Sequence, residues 1–405
     1  MTSAALGAAS NLTTQSWKGR LRPALAHTDE GKALMATTVA TDLGEATIPK
    51  TMRAVIAYAP HDYRLEEVDV PVPGPEEILV KVEACGICGS DGKVYKGAEM
   101  YWGGPLTPVG WVKAPVIPGH EFLGHVAALG PRAAEKHGVV VGDRVVADQI
   151  VPCERCRFCR RGQYWMCEVQ NMFGFQTVVH GAWADYMKFP KEARVHKVPT
   201  EMPTEIAVLT EPVSCAVHAV ERGRVEFGDV VVVSGTGPIG LAMVGLAHLK
   251  GPRTVIAVDI NERRLELARK FGADLTINPR TTNAIAAVKE LTGGYGCDVY
   301  LESSGNIVSI NQGLQMLRRL GRFVEFSVFN EPALVDWSVI GDRKELDILG
   351  SHIGPYTYPI TLDYLHRGLI RMDGVVTHML PLEQFEEGIN LVLDGSQSIK
   401  VALKP

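Results

Sequence analysis

A glycine-rich turn that joins a strand-like run to a helix-like run constrains the fold of this chain most strongly. Residues 229–234 are largely apolar and precede the pattern G-x-G-x-x-G, which opens the helix-like run 238–250. The first glycine permits a tight turn, the second lets a pyrophosphate approach the backbone, and the third lets helix and strand pack closely. Amides at the helix N-terminus then bind the pyrophosphate. The residues expected to contact a dinucleotide here are Gly235, Gly237, Pro238, Ile239 and Gly240.

An acidic residue ends the next strand-like run, 254–259. A carboxylate at Asp259 would accept hydrogen bonds from the adenine ribose hydroxyls and would repel the extra phosphate of NADP. The motif therefore predicts NAD rather than NADP. Arg264 lies in the following helix-like run. It either covers the adenine side of the cofactor or is an ordinary solvated helix arginine, and spacing alone does not decide between the two.

The strand-like runs alternate with helix-like runs in this part of the chain. Further strand-like runs lie at 298–302 and 322–326, and a charged helix-like run lies at 262–271. Alternation at this spacing predicts βαβ units and a doubly wound parallel sheet. The residues before about 211 differ, because runs such as 53–58, 77–83 and 139–147 are short, rich in valine and separated by proline and glycine. They are typical of a β-rich, barrel-like domain. In the tail, a helix is expected at 382–393 and a strand at 399–403.

Composition excludes several classes of protein. A chain of 405 residues suits about two domains, and 46% hydrophobic with 21% charged residues indicates a globular protein. A formal net charge of −5 gives no basic field, so we expect no nucleic-acid partner. No run approaches the roughly 20 apolar residues of a membrane helix, so we expect no membrane partner. Clustered cysteines without a signal peptide favour a cytoplasmic, metal-binding protein over a disulfide framework.

Four of the eight cysteines form the pattern C-x2-C-x2-C-x7-C. Thiolates at this spacing can close a tetrahedral zinc site from a single loop. An iron–sulfur cluster and unmetallated thiols are the alternatives, and the spacing does not fit the common ferredoxin runs. Four protein ligands leave no open position, so the pattern predicts a structural zinc and not a catalytic one. Its ligands would be Cys153, Cys156, Cys159 and Cys167.

A second set of possible ligands is scattered along the chain as Cys88, the pair His120 and Glu121, and Glu211. A catalytic zinc keeps about three protein ligands and one open position. Each residue also has an ordinary explanation, since a lone cysteine is usually a small buried hydrophobe and a lone glutamate a surface charge. Spacing alone leaves the two interpretations about equal.

The order of the motifs resembles the zinc-containing medium-chain dehydrogenase/reductase family from about residue 52 to residue 405. The Glu-Pro at 211–212, where alcohol dehydrogenases place a cysteine, is similar to the sorbitol and threonine dehydrogenase branch. The stretches at 344–351 and 377–383 point the same way. The motifs that support the resemblance are CGICGSD at 85–91, GHE at 119–121, the four-cysteine run, GTGPIG at 235–240 and VIAVD at 255–259.

The resemblance implies an α/β fold in which a GroES-like β-rich catalytic domain, 51–211 with 350–405, receives an inserted Rossmann domain, 212–349. Residues 1–50, rich in Ala, Thr and Ser, would be an N-terminal arm, either flexible or packed on a partner subunit. By analogy with the family we expect a homodimer or homotetramer. The expected cofactors are NAD and two Zn²⁺ per chain.

The resemblance also implies a role for each matching residue. Cys88 and His120 would be direct ligands of the catalytic zinc. Glu121 and Glu211 would be acidic ligands or would act through the metal-bound water. Ser90 would take the proton of the substrate, and Asp91 would support the site from behind.

Three departures from the branch bear on the substrate. Lys93 stands where many relatives have the histidine that passes the proton to solvent. Residues 97–111 make the gap between Cys88 and His120 longer than in sorbitol dehydrogenase, and the arginine that sorbitol dehydrogenases use is missing at 350–354. These changes weaken sorbitol as the substrate and favour a shorter polyol. The resemblance to known members suggests a four-carbon polyol such as erythritol or threitol, oxidised at a secondary alcohol to the ketose. The alternatives are L-threonine, another vicinal diol, or a catalytically silent NAD-binding protein, which would be expected to lose Cys88, His120 or Ser90.

Overall fold

The computed structural model describes residues 48–105 and 107–405 of the chain. Residues 1–47 hold nearly all of the expected N-terminal arm, which therefore lies outside the described residues. Among the helices that are described, none combines the length and the apolar character needed to cross a membrane.

Short strands dominate the first part of the described chain. Their valine and aromatic residues suit a pleated, partly buried surface. Its strands are β1 (Thr51–Ala59), β2 (Asp62–Asp69), β3 (Ile78–Ile87), β4 (Glu121–Leu129), β5 (Arg144–Ala147), β6 (Ile150–Val151), β7 (Asn171–Met172), β8 (Tyr186–Phe189) and β9 (Val195–Lys197). Its helices are α1 (Gly89–Tyr95), α2 (Glu99–Trp102), α3 (Ala133–His137), α4 (Thr204–Ala207) and α5 (Thr210–Arg222).

Strands and helices then alternate, as the apolar runs predict. These elements are β10 (Val230–Ser234), α6 (Pro238–Leu249), β11 (Thr254–Val258), α7 (Glu262–Phe271), β12 (Leu275–Ile277), α8 (Ala284–Leu291), β13 (Cys297–Glu302), α9 (Ile307–Met316), β14 (Leu317–Glu325) and β15 (Asp347–Gly350). The six strands pair in parallel in the order β12-β11-β10-β13-β14-β15. The direction of winding reverses between β10 and β13, and ligands bind at such a reversal in open α/β sheets. Every residue of β10 is buried, which explains its unbroken apolar run.

The bounds of α7 match the predicted run 262–271 because both of its ends have strong local signals. At the start, the Asn261 side chain accepts a hydrogen bond from the backbone N–H of Arg264. Such a contact satisfies one of the free amides of the first turn. At the end, Gly272 adopts a left-handed conformation with φ 116°, which suits glycine.

The tail of the chain returns to the first sheet. Its elements are α10 (Tyr358–His366), β16 (Val376–Pro381), α11 (Phe385–Asp394) and β17 (Lys400–Lys404). The strands of this sheet are ordered β16-β17-β3-β4-β5-β9, and β8 also pairs with β3. β17 and β4 both run antiparallel to β3, with Ile87 opposite Val401 and Gly86 opposite Glu121. The end of β3 and the beginnings of β4 and β17 therefore lie at the same edge of the sheet.

Two sequence-based boundaries differ from the structure. The run 139–147 is a strand only from Arg144, because a turn precedes it in which the Asp143 carboxylate accepts from the Val140 amide and Gly142 has φ 92°. The run 382–393 begins with a 3₁₀ turn, Leu382–Gln384, before α11. The domain limits 51–211 with 350–405 and 212–349 remain a prediction. The strands of the β3 sheet lie within 78–197 and 376–404, and those of the parallel sheet lie within 230–350.

The third glycine of the turn provides a stability test with an internal control. A Cβ on Gly240 would lie 1.8 Å from the Gly235 carbonyl oxygen, whereas one on Gly237 would meet nothing within 4 Å. Because a backbone carbonyl cannot yield without opening the turn, we expect Gly240→Ala to lower the free energy of unfolding by about 1–3 kcal/mol. Gly237→Ala should change it by less than about 0.5 kcal/mol. Equal urea midpoints for the two variants would contradict this explanation.

Candidate metal and cofactor sites

Cys88, His120 and Glu121 come together at the common edge of β3 and β4. Cys88 follows β3, and His120 directly precedes Glu121, the first residue of β4. One ligand atom from each of the three lies within 4.8 Å of the other two. His120 and Glu121 are buried and Cys88 is half-buried. A thiol, an imidazole and a carboxylate are a donor set that suits zinc and leaves a position open for substrate.

Asp91, in α1, holds one member of this cluster and lies beside a second. Its Oδ2 accepts a hydrogen bond of 2.8 Å from the backbone N–H of Cys88. Its Oδ1 lies 3.5 Å from His120 Nδ1, and the Asp91 side chain is only 3% exposed. A carboxylate beside one ring nitrogen orients the imidazole and leaves the other nitrogen for a metal. The structure thus places Asp91 where the family resemblance expects a supporting residue.

Lys400 is a member of the site that sequence reasoning missed. Its Nζ lies 2.6 Å from both carboxylate oxygens of Glu121 and donates to the Ile87 carbonyl at 3.2 Å. Burial opposes the charge of Lys400, but Glu121 and Cys88 outweigh it and raise the pKa of Lys400 above its ordinary value. Gly86 makes room for this pair, because a Cβ there would lie 2.0 Å from Glu121 Oε2. The only signal in the sequence is a lone lysine that begins the apolar stretch 400–403.

Glu211 is buried near the cluster but is not one of its three members. The Gln149 amide donates to its Oε1, and the Cys215 thiol lies 3.3 Å from the same oxygen. Gln149 in turn accepts a hydrogen bond of 3.0 Å from the Tyr358 hydroxyl. Burial, followed by the charge of Glu121, raises the pKa of Glu211 to about 7. Nothing in the sequence pattern signals Gln149 or Tyr358, because distant segments supply them.

Ser90 and Lys93 share α1 with Asp91. Ser90 is half-buried two residues after Cys88. Lys93 is also half-buried, and its ammonium group donates to the Val328 carbonyl in the segment after β14. Burial lowers the pKa of Lys93, while the charges of Cys88 and Glu302 act in the opposite direction. Lys93 therefore joins α1, the helix that follows Cys88, to the segment after β14.

The four cysteines of the C-x2-C-x2-C-x7-C run form a second cluster. One sulfur from each of Cys153, Cys156, Cys159 and Cys167 lies within 4.8 Å of the others. Backbone N–H groups point at the sulfurs, with Cys153 N 3.3 Å from Cys167 Sγ and Cys156 N 3.4 Å from Cys153 Sγ. Backbone hydrogen bonds, led by the one from Cys159, lower the pKa of Cys156 to about 6. Four cysteine sulfurs this close together fit the ligand set of a tetrahedral zinc.

A cavity of about 430 Å³ opens at the carboxyl edge of the parallel sheet, beside the residues that follow β10 and β13. Gly237 precedes α6, and Pro238 and Ile239 are the first two residues of that helix. The position of a Cβ on Gly237 is open space, which leaves room for a pyrophosphate against the helix N-terminus. Residues that line the cavity include Gly235, Gly237, Asp259, Arg264, Arg280 and Ser304.

Asp259 and Arg264 are both held in place in this cavity. Asp259 Oδ2 accepts from the Thr236 amide at 2.6 Å, and its Oδ1 accepts from the Asn261 amide at 2.9 Å. The Arg264 guanidinium donates to the Gly395 carbonyl at 2.9 Å, so it links α7 to the end of α11. A fixed carboxylate at the end of β11 suits recognition of ribose hydroxyls.

Comparison with known proteins identifies the family. Residues 238–367 match the model of zinc-binding dehydrogenases, and residues 74–200 match the alcohol dehydrogenase GroES-like domain. Erythritol/L-threitol dehydrogenase of Mycolicibacterium smegmatis is 51% identical over 358 residues, which cover 88% of this chain and 99% of that protein. The chain belongs to the zinc-binding dehydrogenase family.

This zinc-binding dehydrogenase has further relatives of known identity or structure. L-threonine 3-dehydrogenase of Pyrococcus horikoshii is 35% identical over 335 residues, which cover 82% of this chain and 92% of that protein. The crystal structure of a protein described as a zinc-binding dehydrogenase of Sinorhizobium meliloti, bound to NADP, has a TM-score of 0.79 at 28% identity. The match covers 88% of this chain and all of that one. The predicted fold, with a GroES-like domain and a Rossmann sheet, is confirmed, as is dehydrogenase function with zinc and a nicotinamide cofactor.

The buried pair of Lys400 and Glu121 gives a prediction for stability. Lys400→Met keeps most of the side-chain volume but leaves the Glu121 carboxylate without its cation. Because an uncompensated buried charge is costly, we expect the free energy of unfolding to fall by about 3 kcal/mol. Lys404→Met, at the exposed end of the same strand, should change it by less than about 0.5 kcal/mol. Guanidinium chloride unfolding followed by tryptophan fluorescence measures both, and a stable Lys400→Met variant would rule out this role for the pair.

Proposed function

We propose that the chain oxidises a secondary alcohol of a short, four-carbon polyol such as erythritol or threitol to the ketose and transfers the hydride to NAD. The main support is the convergence of Cys88, His120 and Glu121 into one donor set, of which His120 and Glu121 are buried. The 51% identity to an erythritol/L-threitol dehydrogenase supports the substrate class. L-threonine is the second candidate, favoured by the 35% identity to a threonine dehydrogenase.

We assign two zinc ions per chain. Cys88 and His120 would hold the catalytic zinc directly, and the four-cysteine cluster would hold the structural one. Glu121 and Glu211 are the candidates for the acidic ligand of the catalytic zinc. Glu121 lies in the cluster but is bound by Lys400, whereas the Gln149 and Cys215 contacts of Glu211 both use Oε1 and leave Oε2 for a metal.

When bound, zinc lowers the pKa of an alcohol oxygen and NAD supplies the hydride acceptor. The side chains of this chain orient the reactants and move the proton. Ser90 takes the proton of the substrate hydroxyl and releases its own hydroxyl proton towards solvent. Asp91 keeps Cys88 in position through its Oδ2, and its Oδ1 places a negative charge beside His120. Gly237 lets the cofactor pyrophosphate reach the backbone, and Asp259 binds the adenine ribose hydroxyls.

The proposal includes the choice of NAD, the oligomeric state and the compartment. The Asp259 carboxylate, fixed by the Thr236 and Asn261 amides, would repel a 2′-phosphate. Resemblance to the family supports a homodimer or homotetramer. Clustered cysteines of metal-site spacing favour a cytoplasmic protein over a disulfide-bonded one. A net charge of −5 gives no basic field for a nucleic acid or an anionic membrane surface.

A substrate panel tests the proposed activity. The zinc-loaded chain is incubated with erythritol, L-threitol, sorbitol or L-threonine, and reduction of NAD and of NADP is followed by absorbance. We expect the highest kcat/KM for a four-carbon polyol, and at least about tenfold preference for NAD, since one misplaced charge costs a kilocalorie or more. Turnover of threonine without turnover of any polyol would contradict the proposal.

Two cysteine variants separate the two zinc sites. Cys88→Ala should remove one zinc and lower kcat/KM by about 1000-fold or more, because the metal provides several kcal/mol of charge stabilisation. It should leave the thermal midpoint close to that of the parent protein. Cys159→Ala, its matched control, should remove the other zinc and lower the thermal midpoint, since structural zinc contributes to folding. Elemental analysis that finds two zincs in Cys88→Ala would refute this assignment.

A further inference from the structure

A network of buried side chains holds Glu211 at the start of α5. The amide nitrogen of Gln149 donates to Oε1 of Glu211, and the Cys215 thiol lies 3.3 Å from the same oxygen. The Tyr358 hydroxyl donates to the side-chain carbonyl oxygen of Gln149 at 3.0 Å. Gln149 is 2% exposed and Tyr358 is 1% exposed, so water does not compete for these contacts. Gln149 therefore connects a tyrosine of the tail to one oxygen of Glu211.

The chemistry of these groups determines which end of the Gln149 amide meets Glu211. A carboxylate that binds a metal is ionised and only accepts hydrogen bonds, so the NH2 end must face Glu211. The carbonyl end then faces Tyr358, whose hydroxyl must donate. If the amide turned round, its carbonyl oxygen would meet the carboxylate, and two acceptors would face each other in a buried place. The Tyr358 hydroxyl thus favours the one amide orientation that suits Glu211.

The backbone that carries Gln149 is held in place as well. Asp148, the preceding residue, lies 2.8 Å from Nε2 of His196 through its Oδ1 and accepts a hydrogen bond from the Tyr164 hydroxyl through its Oδ2. Tyr164 belongs to the loop of the four-cysteine cluster. The His196 ring stacks on the Tyr358 ring with centroids 5.2 Å apart. The contacts that tie the four-cysteine loop to Asp148 therefore also restrain the Gln149 amide.

The other oxygen of Glu211 is left free by this network. Among the hydrogen bonds of the described residues, none involves Oε2 of Glu211. Helix α5 packs against β4, the strand that begins with Glu121 of the metal-ligand cluster. Both carboxylate oxygens of Glu121 are already bound by the Lys400 ammonium at 2.6 Å. Of the two acids that are candidates for the zinc ligand, Glu211 is thus the one with an oxygen to spare.

We propose that Gln149 is a positioning residue of the catalytic metal site. Its amide holds Oε1 of Glu211, and Tyr358 orients that amide, so that Oε2 is presented to the zinc as the acidic ligand. This inference rests on the proposed function, which places a catalytic zinc at Cys88 and His120. Removal of a group that holds a metal ligand from behind typically lowers metal affinity about 10- to 100-fold.

The zinc affinity of the full chain tests the inference. Gln149→Met keeps the length of the side chain and removes both amide contacts, so the dissociation constant of the catalytic zinc, measured by competition with a chelator, should rise about 10- to 100-fold. Tyr358→Phe removes only the orienting hydroxyl and should raise it about two- to tenfold, the equivalent of one neutral hydrogen bond. Gln176→Met is the matched control, because Gln176 is a buried glutamine whose amide donates to the Trp111 carbonyl at 2.6 Å. This control should bind zinc as the parent protein does.

Two further measurements separate positioning from a general loss of structure. In a Glu211→Gln background, Gln149→Met should raise the zinc dissociation constant no further, since Gln149 acts through Glu211. Cobalt(II) bound in place of the catalytic zinc has a visible spectrum that depends on its ligands and their geometry. The cobalt spectrum of Gln149→Met should shift as that of Glu211→Gln does, whereas the spectrum of Gln176→Met should equal that of the parent protein.

The possible outcomes are distinct. An unchanged zinc dissociation constant in Gln149→Met, or equal losses with and without Glu211→Gln, overturns the inference and leaves the proposed function intact. Loss of the four-cysteine zinc in Gln149→Met shows a structural role and also overturns it. An unchanged dissociation constant in Glu211→Gln overturns it as well, because Glu121 would then be the acidic ligand. A parent protein that oxidises no polyol and binds no zinc at Cys88 overturns the proposed function and this inference together.

Discussion

The antiparallel pairing of β3 with β4 and β17 is the constraint on which the metal-ligand cluster depends. It places Cys88 after one strand, and His120 and Glu121 at the start of the next, at the same edge of one sheet. The third strand brings Lys400 to this edge from the tail, although Lys400 and Glu121 are 279 residues apart in the chain. A shift of one residue in either pairing would turn these side chains to the other face. A shifted register would also separate the buried ion pair of Lys400 and Glu121, which adds an energetic cost.

The second constraint is the reversal of winding in the parallel sheet. The cavity lies at the carboxyl ends of β10 and β13, and the glycine turn leaves space for a phosphate at the start of α6. Two charged residues connect this cofactor domain to the catalytic residues and the tail: Lys93 binds the Val328 carbonyl, and Arg264 binds the Gly395 carbonyl. Hydride transfer needs the donor carbon and the acceptor ring in contact. These links between the domains therefore help to position the reactants as well as to stabilise the fold.

Features with local causes could be predicted from the sequence. The bounds of α7 follow from a cap at each end, the glycine turn follows from its own spacing, and the four-cysteine cluster lies within one loop. Spacing alone left a metal-binding and an ordinary explanation of Cys88 and His120 about equal. The family resemblance favoured metal binding. Lys400 could not be predicted, because its partner is decided by the register of strands from opposite ends of the chain. Gln149 donates to Glu211, and Tyr358 donates to Gln149. These two residues could not be predicted either, because they come from distant segments of the chain.

We propose that one edge of the β3 sheet holds a catalytic zinc, distinct from the structural zinc proposed for the four-cysteine loop. Anomalous diffraction at the zinc edge, from crystals of the zinc-loaded chain, tests it most directly. The account predicts two peaks, one within about 2.3 Å of Cys88 Sγ and about 2.1 Å of a His120 nitrogen, the other surrounded by four sulfurs. A single peak at the four cysteines, with Cys88 and His120 bound to no metal, would contradict it.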